Sequence, residues 1–435
     1  MKQPVTVIGA GFAGSEAAYQ LLRRGIPVRM YEMRPKKMTP AHRTGGFAEL
    51  VCSNSLRADR LENGPGLLKE EMRRIGSVVM RHADANRVPA GGALAVDREG
   101  FSRGVTDELK AHPLFTLLCQ ECTQIPDGPC IIAAGPLCSD TLAQAVSDLT
   151  GEDSLHFYDA AAPIVTAESL NMQTIFRAGR YGRGDDYLNC PMTREEYDAF
   201  VDALLHAETA EVHGFEADNV FEGCMPVEVM AARGQQSLAF GPLKPIGLTN
   251  PRTGKHPYAV VQLRQDDAAS SLYNLVGFQT HLKWGEQQRV FRMIPGLENA
   301  EFVRYGVMHR NTYLCSPRLL NHVYQLQKNP DVFFAGQITG VEGYIESAAS
   351  GMLAGIAMAA YINGEPLPDF TARTAIGALG RYVSSGSGKN FQPMNINFGI
   401  IEPLNERYRG GKAGKNRMIS ERSLAFLESL GYPEA

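Results

Sequence analysis

The segment from Val5 to Arg34, VTVIGAGFAGSEAAYQLLRRGIPVRMYEMR, constrains the fold more than any other. Val5-Thr6-Val7-Ile8 reads as a short buried parallel strand. Gly9-Ala10-Gly11-Phe12-Ala13-Gly14 follows as a G-x-G-x-x-G. Ser15 to Arg24 then carries helix formers with apolar Ala17, Ala18, Leu21 and Leu22, Gly25 stops the helix, and Pro27 to Tyr31 forms a second strand ending in Glu32. Gly9 permits the tight turn, Gly11 lets backbone approach a pyrophosphate, and Gly14 lets the helix pack closely on the sheet. The helix N-terminus faces the anion, and an acid at the position of Glu32 accepts hydrogen bonds from an adenosine ribose. A lone glycine fingerprint is weak, but the complete strand–turn–helix–strand–acid unit predicts a dinucleotide-binding α/β domain.

The chain has 435 residues, 44% hydrophobic and 21% charged, which suits two or three globular domains. A formal net charge of −4 excludes a polycation, so any nucleic-acid site must be a local patch. Eight scattered cysteines suggest a reducing cytosol, hence a cytoplasmic protein, rather than a disulfide framework. Glu16 within the first apolar run argues against a signal peptide, and Glu342 and Glu346 within Val332–Ile362 argue against a membrane span.

Farther along, Met33 to Lys37 is a basic loop beside the expected phosphate site. Cys52 has polar neighbours in Ser53, Asn54, Ser55 and Arg57, which suits a site as well as it suits a structural thiol. Leu67 to Met80 predicts a helix, and Ala90 to Val96 a strand running through Asp97–Gly100 into another helix. Phe115–Cys122 and Cys130–Ala134 read as strands, the latter returning towards the cofactor through Gly135-Pro136. Cys119 and Cys122 form one C-x-x-C without a second, and their strand-like setting favours packing over metal or redox chemistry.

From Tyr158 the composition changes, and 158–290 reads as an inserted α/β domain between 1–157 and 291–435. Thr193-Arg194-Glu195-Glu196 is a capping box opening a helix to His206, and Pro257–Leu263 and Ser271–Phe278 are strand-like. Asp331 to Gly340 is a strand ending in glycine, and Val341 to Tyr361 a helix with small residues at Gly343, Ala348, Gly351 and Gly355. A second strand–glycine–helix so late in the chain implies a discontinuous cofactor domain and suits FAD better than NAD. Gly386-Ser387-Gly388-Lys389-Asn390 imitates a P-loop but lacks its first glycine and its hydroxyl residue.

Cys224 lies between Gly223 and Met225-Pro226, with Glu222 and Glu228 close by. A Gly/Pro frame allows exposure, which a reactive thiol needs, while acidic neighbours oppose its ionisation unless cations lie near in space. With the fingerprint and Tyr31-Glu32-Met33-Arg34-Pro35, the stretches Glu49–Ser55, Phe221–Pro226, Gly277–Lys283, Gly336–Gly340 and Glu342–Tyr344 together resemble the folate- and flavin-dependent tRNA uracil-5-methyltransferases. The resemblance covers essentially the whole chain. The related tRNA wobble-uridine carboxymethylaminomethyl-modification flavoproteins share the two FAD motifs but carry a long helical C-terminal domain, for which this chain is too short.

The resemblance implies a glutathione-reductase-type, Rossmann-like FAD domain, discontinuous around the insert. It implies methylation of the T-loop uridine of tRNA at C5, giving ribothymidine. The carbon comes from 5,10-methylenetetrahydrofolate, the electrons from reduced FAD, and NAD(P)H is the usual reductant. FAD would lie against Gly9, Ala10, Gly11, Phe12, Ala13, Gly14, Glu32, Gly336 and Gln337. Glutamine at 337, where many flavoproteins have aspartate, is what the resemblance leads one to expect. Cys52 and Cys224 would be the catalytic thiol pair, one adding to uracil and the other acting as base or shielding the flavin adduct, with the assignment open, and His281 would stack on the folate pterin. Arg407, Arg409, Lys412, Lys415, Arg417 and Arg422, with Gly410, Gly411 and Gly414, read as a flexible basic arm, and Arg407, Arg409, Lys412 and Lys415 as its tRNA contacts. No metal, membrane or protein partner is expected. The alternatives are the wobble-uridine flavoprotein, an FAD oxidoreductase acting on a small molecule, and a flavin-binding scaffold without catalysis.

Overall fold

The computed structural model describes residues 3–152, 155–210, 225–385, 388, 391–405 and 408–433, with backbone alone at 155–159 and 308–310. Its central sheet has five parallel strands, in spatial order Val332–Phe334, Cys130–Ile132, Val5–Ile8, Val28–Tyr31 and Phe115–Leu118. Every residue of Val5–Ile8 is buried, as a central parallel strand covered on both faces requires. The strand from the far end of the sequence registers directly on Cys130–Ile132, so the cofactor domain closes only after the insert is complete.

Two helices dominate that domain, Phe12–Leu22 and Tyr344–Asn363. Their contact is built from small residues. A Cβ on Gly351 would stand 2.1 Å from the Ala13 carbonyl oxygen, and one on Gly355 would stand 2.7 Å from that of Ala17. Tyr344–Asn363 is long and apolar enough to cross a membrane, but 89% of its most apolar window is buried in this core.

The insert holds a six-stranded antiparallel sheet, ordered Phe176–Arg177, Tyr187–Met192, Ala259–Gln265, Leu272–Leu275, Ile164–Thr166 and Phe302–Arg304. An antiparallel ribbon of Leu155–Ala160 and Met308–Tyr313 carries the chain in and out. The insert has its own core, drawing on residues from Ala162 to Ala300, so Ile294, Leu297 and Ala300, beyond the expected limit at 290, pack with it. One row across the sheet, Leu188, Leu263 and Leu275, enters that core. The neighbouring row is polar and faces the cofactor domain. Arg194–Leu205 opens with the expected capping box between Thr193 and Glu196.

Four local expectations are corrected. Leu67–Met80 is not one helix, because Gly76, at φ 90°, ends Gly64–Ile75 and Ser77 caps a separate helix over Val78–Ala85. The strand beginning at Phe115 stops at Leu118, so Cys119 and Cys122 lie on the loop beyond it, where Cys119 donates to the Arg34 carbonyl (3.2 Å) and Cys122 to that of Gln124 (3.1 Å). The helix expected from Val341 begins at Tyr344, because Gly343, at φ 112°, leaves Val341 and Glu342 outside it. The basic segment is not a flexible arm: Gly411–Ser429 is a helix held by buried Ile419, Leu424 and Leu427. Asn416 donates to the Glu62 carbonyl (3.0 Å), Ser420 to that of Leu61 (2.7 Å), and Ser423 to the Glu71 carboxylate (2.6 Å). Of the P-loop imitation only Gly388 lies within the described residues.

Candidate active site

The C-terminal ends of the central strands open into a cleft of about 980 Å³, counting its mouth. Gly9, Ala10, Gly11, Phe12, Ala13, Glu32, Gly336 and Gln337 all line it. Gly14 lies outside that lining, because its role is internal: a Cβ there would stand 1.8 Å from the Gly9 carbonyl oxygen. Gly9 sits at φ +100°, with the Ala133 carbonyl oxygen 2.5 Å from where a Cβ would be. Gly11 differs. Its backbone is ordinary (φ −71°), and a Cβ would meet no protein atom within 4 Å. The protein's own packing does not need glycine at 11, whereas a diphosphate lying against the backbone at the start of the helix does. This cradle fits FAD, with Gly336 (φ +86°) and Gln337 forming its far wall.

Glu32 is 7% exposed and fully engaged. Its Oε2 accepts from Ala10 N (2.9 Å) and Arg34 Nη2 (3.0 Å), and its Oε1 from Arg34 N and Nε (2.9 Å each). Burial pushes this carboxyl up, but the Arg34 guanidinium and the backbone donors overcome it and hold it below its ordinary value. A ribose hydroxyl reaching Glu32 would share an oxygen with one of these donors. Arg34 also bonds Glu49 (3.1 Å), so it orients both carboxylates, a role its place in a basic loop does not reveal. On the opposite wall Gln337 Nε2 donates to both oxygens of Glu342 (2.8 and 2.9 Å).

The cleft also reaches Val51 and Tyr344; Cys52 is not part of its lining but adjoins both. The Cys52 N–H donates to Tyr344 Oη at 2.8 Å, and its Sγ lies 2.9 Å from the same oxygen. Burial, with the Cys52 thiol next in weight, raises the Tyr344 phenol well above its usual value, so it keeps its proton. Phe12 stacks on the Tyr344 ring, centroids 4.7 Å apart, joining the fingerprint helix to the thiol. Arg98 donates to the carbonyls of Leu50 and Cys52 and pairs bidentately with Asp266 (2.8 and 3.1 Å). In the sequence Tyr344 closes the Glu342–Tyr344 stretch with no role of its own, and Arg98 and Asp266 carry no local signal.

His281 is not on the protein surface: it is 8% exposed, its Nδ1 is 2.5 Å from Glu228 Oε1, and its N–H donates to that oxygen (2.8 Å). Thr280 holds the other Glu228 oxygen (2.9 Å). His281 does not line the cofactor cleft. Cys224 and Arg407 lie outside the described residues. Arg409, Lys412 and Lys415 are exposed, and no ion pair joins them to a carboxylate among the described residues. Arg417 is tied to Glu62 and Glu421 (3.1 Å each), and Arg422 to the Pro403 carbonyl (2.8 Å). Among the described residues no cluster of potential metal ligands occurs.

A family model described as glucose inhibited division protein A matches residues 4–366. A Lactobacillus delbrueckii subsp. bulgaricus protein named methylenetetrahydrofolate--tRNA-(uracil-5-)-methyltransferase TrmFO is 60% identical, over 99% of this chain and 98% of its own length. A Desulfitobacterium hafniense protein of the same name is 61% identical over 99% of both chains. Among solved structures, Aquifex aeolicus GidA superposes with a TM-score of 0.71 at 15% identity, over 99% of this chain and 76% of that one, which shows the shared fold. With the cleft, its glycine cradle and a full-length match of this strength in hand, the chain belongs to the methylenetetrahydrofolate–tRNA-(uracil-5-)-methyltransferase family, within the wider GidA fold.

Proposed function

We infer that the protein methylates C5 of a uridine in tRNA, drawing the carbon from 5,10-methylenetetrahydrofolate. The observation that carries this reading is identity of about three residues in five, along the whole chain, to relatives bearing that name. The target is taken to be the T-loop uridine, with NAD(P)H as the source of reducing power and the cytoplasm as the setting.

FAD, when bound and reduced, supplies the electrons that convert the transferred methylene to a methyl group. Gly9 to Gly14 and Gly336 to Gln337 would hold it, with Glu32 and Arg34 at the adenosine end. The remaining work falls to side chains. Uracil C5 is a poor nucleophile until a thiolate adds at C6, after which C5 attacks the methylene carbon and must lose its proton. This reading gives those two tasks to Cys52 and Cys224, in either order. Tyr344 fixes the Cys52 backbone and sulfur through one hydroxyl, so the thiol is positioned before substrate arrives. His281, oriented by Glu228, would present its ring to the folate pterin. Arg409, Lys412 and Lys415, with Arg407, would meet tRNA phosphates.

The test is nucleoside analysis of undermodified tRNA after incubation with enzyme, FAD, NADPH and methylenetetrahydrofolate. Ribothymidine confined to the T loop is expected. A modified wobble uridine without ribothymidine would favour the carboxymethylaminomethyl pathway instead.

A further inference from the structure

The face of the insert's sheet turned to the cofactor domain carries a single row across five strands. Tyr187 stands opposite Arg264, Arg264 opposite Asn274, Asn274 opposite Ile164, and Ile164 opposite Arg304. Directly opposed residues share a face, so the first four side chains project together; a register shift separates Phe302 from Arg304, and it is the bond of Arg304 to Ala41 that places its side chain against the cofactor domain. That face is seated on the loops of the cofactor domain. Tyr187 Oη donates to the Ala90 carbonyl (3.1 Å), and Arg304 Nη2 to that of Ala41 (3.2 Å). Arg264 donates from Nε to Asn54 Oδ1 (3.1 Å) and from Nη2 to Ser53 Oγ (2.5 Å). The residues it grips directly follow Cys52.

The charge balance of this junction is uneven. Arg264 is 8% exposed, and the groups it hydrogen-bonds, Asn54, Ser53 and Asn274, are all neutral. Arg98 takes Asp266 as its own partner, while among the described residues Arg304 bonds a carbonyl alone. Among the described residues, Asp266 is the one carboxylate paired with these three guanidiniums. Two donors are also buried without a hydrogen-bond partner among the described residues, Arg304 Nε and Asn274 Nδ2. A buried guanidinium held only by neutral groups is costly unless an anion completes it. Burial does weaken the hold of Arg264 and Arg304 on their protons.

We propose that this cluster, Arg264 and Arg304 of the insert's row with Arg98 of the cofactor domain, keeps Cys52 as a thiolate in the resting enzyme. Arg98 donates to the Cys52 carbonyl (3.2 Å) and Arg264 to Ser53, the next residue, and a negative charge at Cys52 would favour the protonated form of all three guanidiniums. Of the other groups near the row, Glu49 is engaged by Arg34, Asp266 by Arg98, and Tyr344 is kept protonated by burial. Arg43 adds a further positive charge near Arg304. Cations beside a partly exposed thiol lower its proton affinity, and the Cys52 proton then passes to water. Tyr344 is placed to donate its hydroxyl proton to the resulting anion, since its oxygen already accepts the Cys52 N–H. A standing thiolate is ready either to add at C6 or to take the C5 proton, which removes one proton transfer from the path. Two of the three charges, on Arg264 and Arg304, thus act on Cys52 from the insert, and the third, on Arg98, from the cofactor domain.

The proposal rests on the assignment of Cys52 to the uracil chemistry, but its test needs no substrate. The ultraviolet thiolate absorption of the FAD-loaded enzyme is titrated, with Cys52→Ser as the blank, in wild type, Arg304→Gln and Arg304→Lys. FAD retention and thermal melting check that each variant is folded. The expected signal persists below neutral pH in wild type, moves up by about one pH unit in Arg304→Gln, and returns with Arg304→Lys. A Cys52 signal that appears only in the alkaline range of an ordinary thiol overturns the proposal, as does a signal that Arg304→Gln leaves in place. Should Cys52→Ala methylate tRNA at the wild-type rate, the role of Cys52 would fail while the titration stood.

Discussion

Cys52 and Tyr344 lie 292 positions apart in the chain, yet the thiol sulfur is 2.9 Å from the phenol oxygen. Cys52 comes from a loop after the second central strand, whereas Tyr344 opens the helix that closes the cofactor domain. Their meeting places the Cys52 thiol beside a residue that lines the cradle, and it exists only once the discontinuous domain is assembled. If the pair serves uracil chemistry, Cys52→Ala and Cys224→Ala should each leave FAD bound and cut tRNA methylation by orders of magnitude, since acid–base help alone is worth roughly 10²–10⁴-fold. Cys130→Ala or Cys190→Ala, at buried thiols that burial pushes up, should cost only stability, on the order of 1 kcal/mol. Single-turnover methylation and thermal melting separate the two outcomes.

Gly11→Val should abolish flavin retention without unfolding the protein, because the new side chain enters open cleft space at an ordinary backbone conformation. Gly9→Val should instead destabilise the fold, since its side chain would meet the Ala133 carbonyl and strain a positive φ. Flavin absorbance after gel filtration, set beside melting temperature, distinguishes them. A folded Gly11→Val protein with full FAD occupancy would refute the cradle.

The fingerprint is legible in the sequence because each element is local: four apolar residues make the strand, and three glycines make the turn and the close helix contact. Gly351 and Gly355 are visible as small residues, but their partners Ala13 and Ala17 are not, because that packing joins the two ends of the chain. The arginine row is hidden for the same reason. Gln262 and Arg264 alternate with Val261 and Leu263, which signals a two-faced strand, but nothing local says that the polar face closes on Cys52. The basic tail reads wrongly as an arm because three nearby glycines outweigh the spacing of Ile419, Leu424 and Leu427, which the structure buries.

Replacing Arg409, Lys412 and Lys415 together with glutamine should weaken tRNA binding and flatten its salt dependence, by about 0.9 in the log–log slope for each duplex phosphate no longer neutralised. Arg417→Gln should leave that slope nearly unchanged, because Arg417 is already committed to Glu62 and Glu421. Filter binding across a salt series gives both slopes, and equal slopes for all variants would mark the helix as a solvated surface.

Glu71 is buried between two helices, accepting from Ala375 N (2.7 Å), Ile376 N (2.9 Å) and Ser423 Oγ (2.6 Å). Burial raises its carboxyl from 4.5 to about 7, against those donors. A raised folded-state value means that its stabilising contribution is complete below about pH 4.5 and is lost as pH rises through about 7. Glu71→Gln should remove this dependence, raising the melting temperature relative to wild type at about pH 8 by the equivalent of 1–3 kcal/mol, and by little at about pH 5. Melting curves across that range check the sign, and the opposite trend would show that the donors outweigh burial.

The most direct measurement is the origin of the transferred carbon. Undermodified tRNA is incubated with the FAD-loaded enzyme and NADPH, in one arm with carbon-labelled methylenetetrahydrofolate and in the other with methyl-labelled S-adenosylmethionine. Label in C5-methylated uridine from the folate arm alone is the predicted result. Label from S-adenosylmethionine, with none from folate, would contradict it.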